Sequence, residues 1–259
     1  MKTIKRGSTG YDVKVLQRIL KVPDDGLFGN RTKQALIEYQ KLNGLTPDGI
    51  CGPATWAYIL SRNGVTKYKT ATIIKDSPDH IGFIVSNKTF KQTASDFITN
   101  GTYFWNGQTN GILIDDGKVY CGSSSHAWRG FPQSVLYFDG QNVGAKRIKY
   151  APELGNVVWA IGGCGMITPY GYSPVSEGFS GKYSDILNKR DKTVIGYMNG
   201  EIYRIVVPSI SHGSLLNLLK EIGLEIAISL DGGGSTCMRT FEDVMKSDGR
   251  VINNWVVRK

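Results

Sequence analysis

The octapeptide Asp25-Gly26-Leu27-Phe28-Gly29-Asn30-Arg31-Thr32 returns as Asp48-Gly49-Ile50-Cys51-Gly52-Pro53-Ala54-Thr55, with every position displaced by 23 residues. A short, constant offset means that one supersecondary unit is built twice and that its copies stack on a shared core. In each copy Asp-Gly is a turn dipeptide, the second glycine (Gly29, Gly52) permits tight backbone, and Pro53 suits the first position of a helix. Each copy therefore reads as a loop feeding a helix. The first helix continues from Lys33 to Leu42, with Ala35, Leu36, Tyr39 and Leu42 at helical spacing, and the second from Trp56 to Leu60. Val13, Leu16, Ile19 and Leu20 place another helix before them, so residues 8–61 are expected to form a compact three-helix domain.

The pattern Val13-x-x-Leu16-Gln17, Asp25-Gly26-x-Phe28-Gly29-x-x-Thr32, Tyr39-Gln40, Gly44-Leu45-x-x-Asp48-Gly49-x-x-Gly52-Pro53-x-Thr55-Trp56 resembles the peptidoglycan-binding domain found beside many wall hydrolases. The resemblance implies binding of wall glycan or stem peptide near the repeated loops. Asp25, Gly26, Phe28, Asp48, Gly49 and Trp56 are the wall-binding candidates. Residues 1–64 carry ten Lys and Arg against five Asp and Glu, so more than half of the chain's formal charge of +9 lies in its first quarter. Such charge concentrates a protein on polyanionic wall polymer; solvated helix faces account for it equally well.

Beyond residue 66 the texture changes to short β-type runs: 70–75, 82–86, 111–115, 135–138, 157–161, 193–198, 202–208 and 226–230. One helix interrupts them at 214–223, where Leu215, Leu218, Leu219 and Ile222 form an apolar stripe that Gly223 ends. The expectation is a small all-α domain at 1–64 followed by a larger mixed α/β domain rich in short strands at 65–259. A charged fraction of 20% and 41% hydrophobic residues are globular values. The basic N-terminus lacks the apolar run of about 7 to 15 residues that a secretory signal needs, and no run of about 18 apolar residues would span a bilayer. Cys51, Cys121, Cys164 and Cys237 are scattered and read as free thiols, Cys164 with Cys237 being the pairing to check first. His80, His126 and His212 lack metal-ligand spacing. No catalytic metal or cofactor is expected, and a structural calcium stays open.

Three segments could carry chemistry. Ile226-Ala227-Ile228-Ser229-Leu230 delivers Asp231 and the loop Gly232-Gly233-Gly234-Ser235-Thr236 to a strand's carboxyl end. Consecutive glycines let N–H groups approach an anion, and the two hydroxyls add donors; a tight structural turn is the plainer reading. Gly234 stands where a Walker loop needs Lys, which argues against nucleotide binding of that kind. Asn100-Gly101-Thr102-Tyr103-Phe104 is a turn followed by aromatics ordinarily found in a core. Arg190-Asp191-Lys192-Thr193 brings cations to the start of a strand.

In this order, and with Gly111-Ile112-Leu113-Ile114-Asp115-Asp116-Gly117-Lys118, Ala160-Ile161-Gly162-Gly163-Cys164-Gly165 and the terminal Gly249-Arg250-x-x-x-Asn253, these segments resemble the phosphodiester glycosidase family over roughly residues 70–259. The resemblance implies hydrolysis of a sugar 1-phosphodiester at the anomeric carbon. Asp231 and Glu177 are the carboxylates that would steady an oxocarbenium-like centre or activate water, although Glu177 reads equally as a loop acid. Asn100 would hold a sugar hydroxyl or position a carboxylate. Gly232, Gly233, Gly234, Ser235, Thr236, Thr193, Thr102 and Arg129 would surround the phosphate, with either Arg190 or Lys192 as its cation. Members commonly show Arg-Thr where this chain has Lys192-Thr193, and on a regular strand Arg190 and Lys192 point the same way. Arg129 reads equally as a surface residue.

Joined to a wall-binding module, such a hydrolase would act on a wall glycopolymer or on its sugar-1-phosphate linkage to peptidoglycan. A phage or prophage lytic enzyme released after membrane disruption is the natural source. The partners expected are peptidoglycan and anionic glycopolymer, not nucleic acid, for which no recognition motif is present. The rival readings are an endolysin-like muramidase or amidase and a non-catalytic wall-glycan binder.

Overall fold

The computed structural model describes residues 1–93, 95–123, 131–178, 186–241 and 243–259. The chain divides into two compact units, Met1–Val65 and Thr66–Lys259. The first holds three helices, α1 (Tyr11–Ile19), α2 (Asn30–Leu42) and α3 (Pro53–Arg62), around Val13, Leu16, Phe28, Leu36, Cys51, Trp56 and Ile59. As the repeat predicts, Gly29 and Gly52 are the residues on which α2 and α3 start, and Pro53 opens α3. The backbone that only glycine takes comfortably lies elsewhere, at the Asp-Gly turns: Gly26 has φ +78° and Gly49 φ +68°.

One polar network is made twice in this unit. Gln17 is buried; its Nε2 donates to Asp25 Oδ1 (2.8 Å), to the Leu27 carbonyl and to Thr32 Oγ1, and its Oε1 accepts from the Gly26 amide. Gln40, 23 residues on, bonds in the same way to Asp48 Oδ1 (2.9 Å), Ile50, Thr55 and Gly49. Each loop thus has its carbonyl, amide and carboxylate satisfied by one buried glutamine, as buried polar groups require.

The second unit contains strands β1 (Val65–Tyr68), β2 (Ala71–Asp76), β3 (Ile81–Lys88), β4 (Ile98–Asn100), β5 (Phe104–Trp105), β6 (Gln108–Thr109), β7 (Leu113–Asp115), β8 (Lys118–Cys121), β9 (Gln133–Phe138), β10 (Val143–Ile148), β11 (Trp159–Ile167), β12 (Arg190–Met198), β13 (Glu201–Ile210), β14 (Ile226–Ser229), β15 (Met238–Arg239), β16 (Asp243–Met245) and β17 (Ile252–Arg258). Among the described residues they form a ten-stranded sheet in the order β1-β2-β13-β12-β14-β11-β7-β8, with β9 joining β11 to β10. A five-stranded sheet β16-β15-β4-β17-β3 and the hairpin β5-β6 complete the set.

Helix α4 (His212–Ile222) covers one face of the large sheet, and the smaller sheet covers the other. Alternation along the strands produces this three-layer arrangement. On β13, Tyr203, Ile205 and Val207 pack under Leu215 and Leu219 of α4, whereas Ile202 joins Phe83 and Val256 of the smaller sheet. The architecture is the expected small helical unit followed by a strand-rich α/β unit. Helix α4 begins two residues earlier than its apolar stripe implies, because Ser211 caps the Ser214 amide; Gly223 ends it at φ +91°. All four cysteines are free, so Cys164 and Cys237 are not paired. None of the described helices is long and apolar enough to cross a membrane.

Candidate functional site

β14 lies between β11 and β12 in the large sheet, and its apolar run Ile226-Ala227-Ile228-Ser229 ends at Asp231. The chain is pinned at this point. The Leu230 amide donates to the Thr193 carbonyl, the Asp231 amide to the Gly101 carbonyl, and Asn100 Nδ2 to the Asp231 carbonyl (2.8 Å). Asn100 Oδ1 in turn accepts from Thr193 Oγ1 (2.7 Å) and from the Cys237 amide (3.1 Å). Asn100 is fully buried and both ends of its amide are engaged, which fits the positioning of the loop that carries Asp231 better than the holding of a sugar hydroxyl. It ties β4, β12 and both ends of the glycine loop together.

Burial pushes the Asp231 carboxyl up to about 6, against the opposing pull of the Ser235 hydroxyl, the Gly232 amide and the Arg250 charge. At Gly232 a Cβ would crowd the Asp191 carbonyl at 3.0 Å, and Gly233 has φ +62°, a backbone that favours glycine, so the loop lies close against β12. The loop spends several of its donors internally: the Ser235 and Thr236 amides bond back to Gly232 and Gly233. Ser235 is buried and its hydroxyl serves Asp231. Thr236 Oγ1 is buried without a partner among the described residues.

Two guanidinium groups flank the loop. Arg190 Nη1 lies 3.4 Å from where a Cβ on Gly233 would be, and Arg190 is exposed. On the other side Asp248 holds Arg250 in a two-pronged ion pair (Oδ1 to Nε 2.9 Å, Oδ2 to Nη2 2.6 Å), and Arg250 Nη1 reaches Ser235 Oγ at 3.5 Å. A side chain at Gly234 would collide with both members of this pair. Spacing alone did not assign Arg250 a role; its only signal was the Gly249-Arg250-x-x-x-Asn253 motif.

Several expected ligands turn out to be framework. Lys192 is buried, and its ammonium donates to the Ile186 carbonyl. The register shift between Arg190 and Lys192 breaks the regular alternation that would have put both on one side, and Arg190 is the one left at the surface of the loop. Thr193 is spent on Asn100, and Thr102 donates to the Gly162 carbonyl; both are buried. Glu177 is also buried. Its carboxylate takes Ser134 Oγ (2.7 Å), Arg147 Nη2 (2.9 Å) and the Gly165 amide (2.9 Å), so it locks β9, β10 and β11 together instead of facing water. Gly165 is required there, since a Cβ would stand 2.5 Å from Ser134 Oγ. Arg129 lies outside the described residues.

Tyr103, which the sequence placed with ordinary core aromatics, is buried and packs with Cys164, close to Asp231. Burial, with the acidic groups of Cys164, Asp231 and Glu177 nearby, holds its phenol well above the ordinary range, so it is a neutral O–H. Among the described residues no group of three His, Cys, Asp or Glu side chains converges to hold a metal. An apolar cleft of about 550 Å³ lined by Ile114, Val119, Ala151, Pro152 and Val157 contains none of these site residues.

In the first unit the two aromatic wall-binding candidates are core side chains, while Asp25 and Asp48 are exposed. Phe28 and Trp56 are 2% and 3% exposed, and Trp56 Nε1 donates to the Lys2 carbonyl, so neither ring offers a face to a ligand. Asp25 and Asp48 are held below the ordinary carboxylate range by the Leu27 and Ile50 amides and by the two glutamines. Gly26 and Gly49 supply the turn.

Residues 93–258 match the sequence profile of the phosphodiester glycosidase family. The chain belongs to that family. Residues 9–59 match the profile of a peptidoglycan-binding domain. The phosphodiester glycosidase fold is shared with the catalytic domain of zebrafish N-acetylglucosamine-1-phosphodiester alpha-N-acetylglucosaminidase, auto-inhibited by its pro-peptide. The TM-score is 0.60 at 16% identity, over 73% of this chain and 75% of that one. A hypothetical protein from Synechocystis aligns with TM-score 0.50 at 12% identity, over 74% of this chain and 60% of that one. An uncharacterized protein of Kitasatospora aureofaciens is 56% identical over 36 residues, 14% of this chain; the chain spans 30% of that curated relative's length.

Proposed function

We propose that this phosphodiester glycosidase is held on bacterial wall by residues 9–59 and hydrolyses a sugar 1-phosphodiester, of the GlcNAc-1-phosphodiester kind, in an anionic wall glycopolymer or in its linkage to peptidoglycan. The observation that carries the reading is the Asp231 carboxyl, raised to about 6, beside a glycine loop with a guanidinium on each side. In the reaction, a water oxygen bonds to the anomeric carbon as the bond from that carbon to the phosphate oxygen breaks. Asp231, ionised at neutral pH, takes the water's proton and offsets the positive charge growing on the ring. The electron pair of the broken bond leaves with the phosphate, whose charge Arg190, Arg250 and the loop amides stabilise. A phosphate monoester is a good leaving group, so charge stabilisation matters more than a strong general acid.

The muramidase alternative requires a pair of accessible carboxylates. Glu177, the acid that would complete such a pair, is buried and committed to Ser134, Arg147 and Gly165. The test is hydrolysis of a GlcNAc-1-phosphodiester in 18O-water. Label on the sugar with unlabelled phosphate is expected; label on the phosphate overturns the reading.

A further inference from the structure

Trp105 is 71% exposed at the tip of the β5-β6 hairpin, whereas Trp56, Trp159 and Trp255 are buried. Single exposed apolar side chains are common and mean little alone. Here the surroundings are unusual. Asn106 and Gly107, both at positive φ (49° and 72°), make the tight two-residue turn that matches the twist of a hairpin, and Trp105 pairs with Gln108 across it. Buried asparagines anchor the tip. Asn253 Nδ2 donates to the Gly107 carbonyl (2.7 Å) and to Asn87 Oδ1 (3.1 Å), Thr109 donates to Asn253 Oδ1, and Asn254 Nδ2 reaches Thr109. The tryptophan therefore projects into solvent from a support with little freedom of its own.

Position links it to the reacting centre. Tyr103 packs with Cys164 on the site side and Phe104 packs the opposite way, with Cys237 and Trp255. Tyr103 precedes β5, but its carbonyl accepts from the Asn110 amide (2.8 Å) and carries the hairpin pairing one step back, so alternation along this ladder returns Trp105 to the side of Tyr103. The segment 248–253 links the glycine loop to the hairpin: Arg250 touches Ser235 of the loop, and Asn253, three residues later, holds the hairpin turn.

We infer that Trp105 is a stacking platform for a sugar ring on the leaving-group side of the phosphate, which makes it a residue that selects a glycosylated aglycone. This rests on the reading of the site as a sugar-phosphodiester hydrolase. A preorganised indole offers a large flat apolar face at little entropic cost on binding, while a hexopyranose presents a patch of C–H groups of similar size.

The experiment uses the full chain and its Trp105→Ala and Trp105→Phe variants on two substrates, GlcNAc-1-phosphate methyl diester and GlcNAc-1-phosphate esterified to the 6-hydroxyl of glucose. The expected result is that Trp105→Ala lowers the ratio of kcat/KM for the glucose ester over the methyl ester about tenfold, mostly through KM, and that Trp105→Phe keeps most of the ratio. A ratio that stays put, or two specificity constants that fall in proportion, overturns the assignment. If the wild-type chain cleaves neither ester, it is the hydrolase reading that fails. The platform is then judged by titrating the glucose ester against tryptophan emission. A change present in wild type and lost in Trp105→Phe supports it, and no change overturns it. Sedimentation showing a dimer that Trp105→Ala dissolves would assign the ring to a second copy of the chain and overturn the proposal as well.

Discussion

Both units build their key loop on the dipeptide Asp-Gly, and the two outcomes are opposite. In the first unit Asp25 and Asp48 accept amides two residues ahead and a glutamine side chain in open solvent, and their carboxyls are held low. In the second, Asp231 ends a strand enclosed between two others, and burial raises its carboxyl to about 6 although a serine, an amide and an arginine all pull the other way. The same two residues thus make a structural turn in one place and a poised acid in the other. What differs is the cost of charge, set by how much protein surrounds the carboxylate and not by its sequence neighbours.

The largest test of this contrast is catalytic. Asp231→Asn should lower turnover of a sugar 1-phosphodiester by several orders of magnitude, each tenfold worth about 1.4 kcal/mol, while Asp25→Asn and Asp48→Asn in the full chain leave the rate constant alone. Steady-state kinetics on the three variants decides it; an Asp231→Asn enzyme of normal activity would remove this residue from the chemistry.

A second test strikes the repeated network. Gln40→Ala deletes bonds to Asp48, Ile50, Thr55 and Gly49 from a buried position, and should destabilise the first unit by about 2 to 4 kcal/mol. Gln17→Ala should cost a similar amount if the two copies are energetically as well as geometrically alike. Urea unfolding followed in the first unit measures both, and a loss under about 0.5 kcal/mol would show that the loops hold without their glutamines.

The smallest effect separates the aspartates by sign. Asp231 has a raised folded value, so the folded state binds more protons than the unfolded state between its ordinary value of 3.8 and about 6, and its contribution to stability is lost as pH rises through that window. Asp231→Asn should therefore be more stable than wild type at pH 7 by about 1 to 2 kcal/mol, with the gap closing near pH 4. Asp25 and Asp48 are lowered, so their contribution is present above 3.8 and lost as pH falls below it. Denaturation at pH 3, 4 and 7 reads both signs. An Asp231→Asn protein no more stable than wild type at neutral pH would mean that the burial of this carboxylate costs nothing.

The first unit was legible because its interactions are short in sequence. Gln17 lies eight residues from Asp25 and Gln40 eight from Asp48, and the offset that aligns the loops aligns the glutamines too. In the larger unit the apolar runs gave most strands of the large sheet. β17 escaped, since Asn253 and Asn254 interrupt its apolar pattern in order to hold the β5-β6 hairpin. The glycine loop and Asp231 stood out as a strand followed by Gly-Gly-Gly. What could not be read was which polar side chains would be consumed by the framework: Thr102, Thr193, Lys192 and Glu177 have the right chemistry for a phosphodiester site, and each is buried against a protein partner.

By itself the sequence determined the duplicated helical loop, the strand-rich second unit and the glycine loop after β14, because turns, helix starts and strand alternation follow from covalent geometry and side-chain spacing over a few residues. Only the tertiary structure decided that Asn100 and Thr193 would lock Asp231, that Arg190 rather than Lys192 would lie exposed at the loop, and that Arg250 would join it from the other side. Those neighbours come together through sheet pairings that close long stretches of chain. Burial, and with it the cost of every charge at the site, exists only once the sheets have packed.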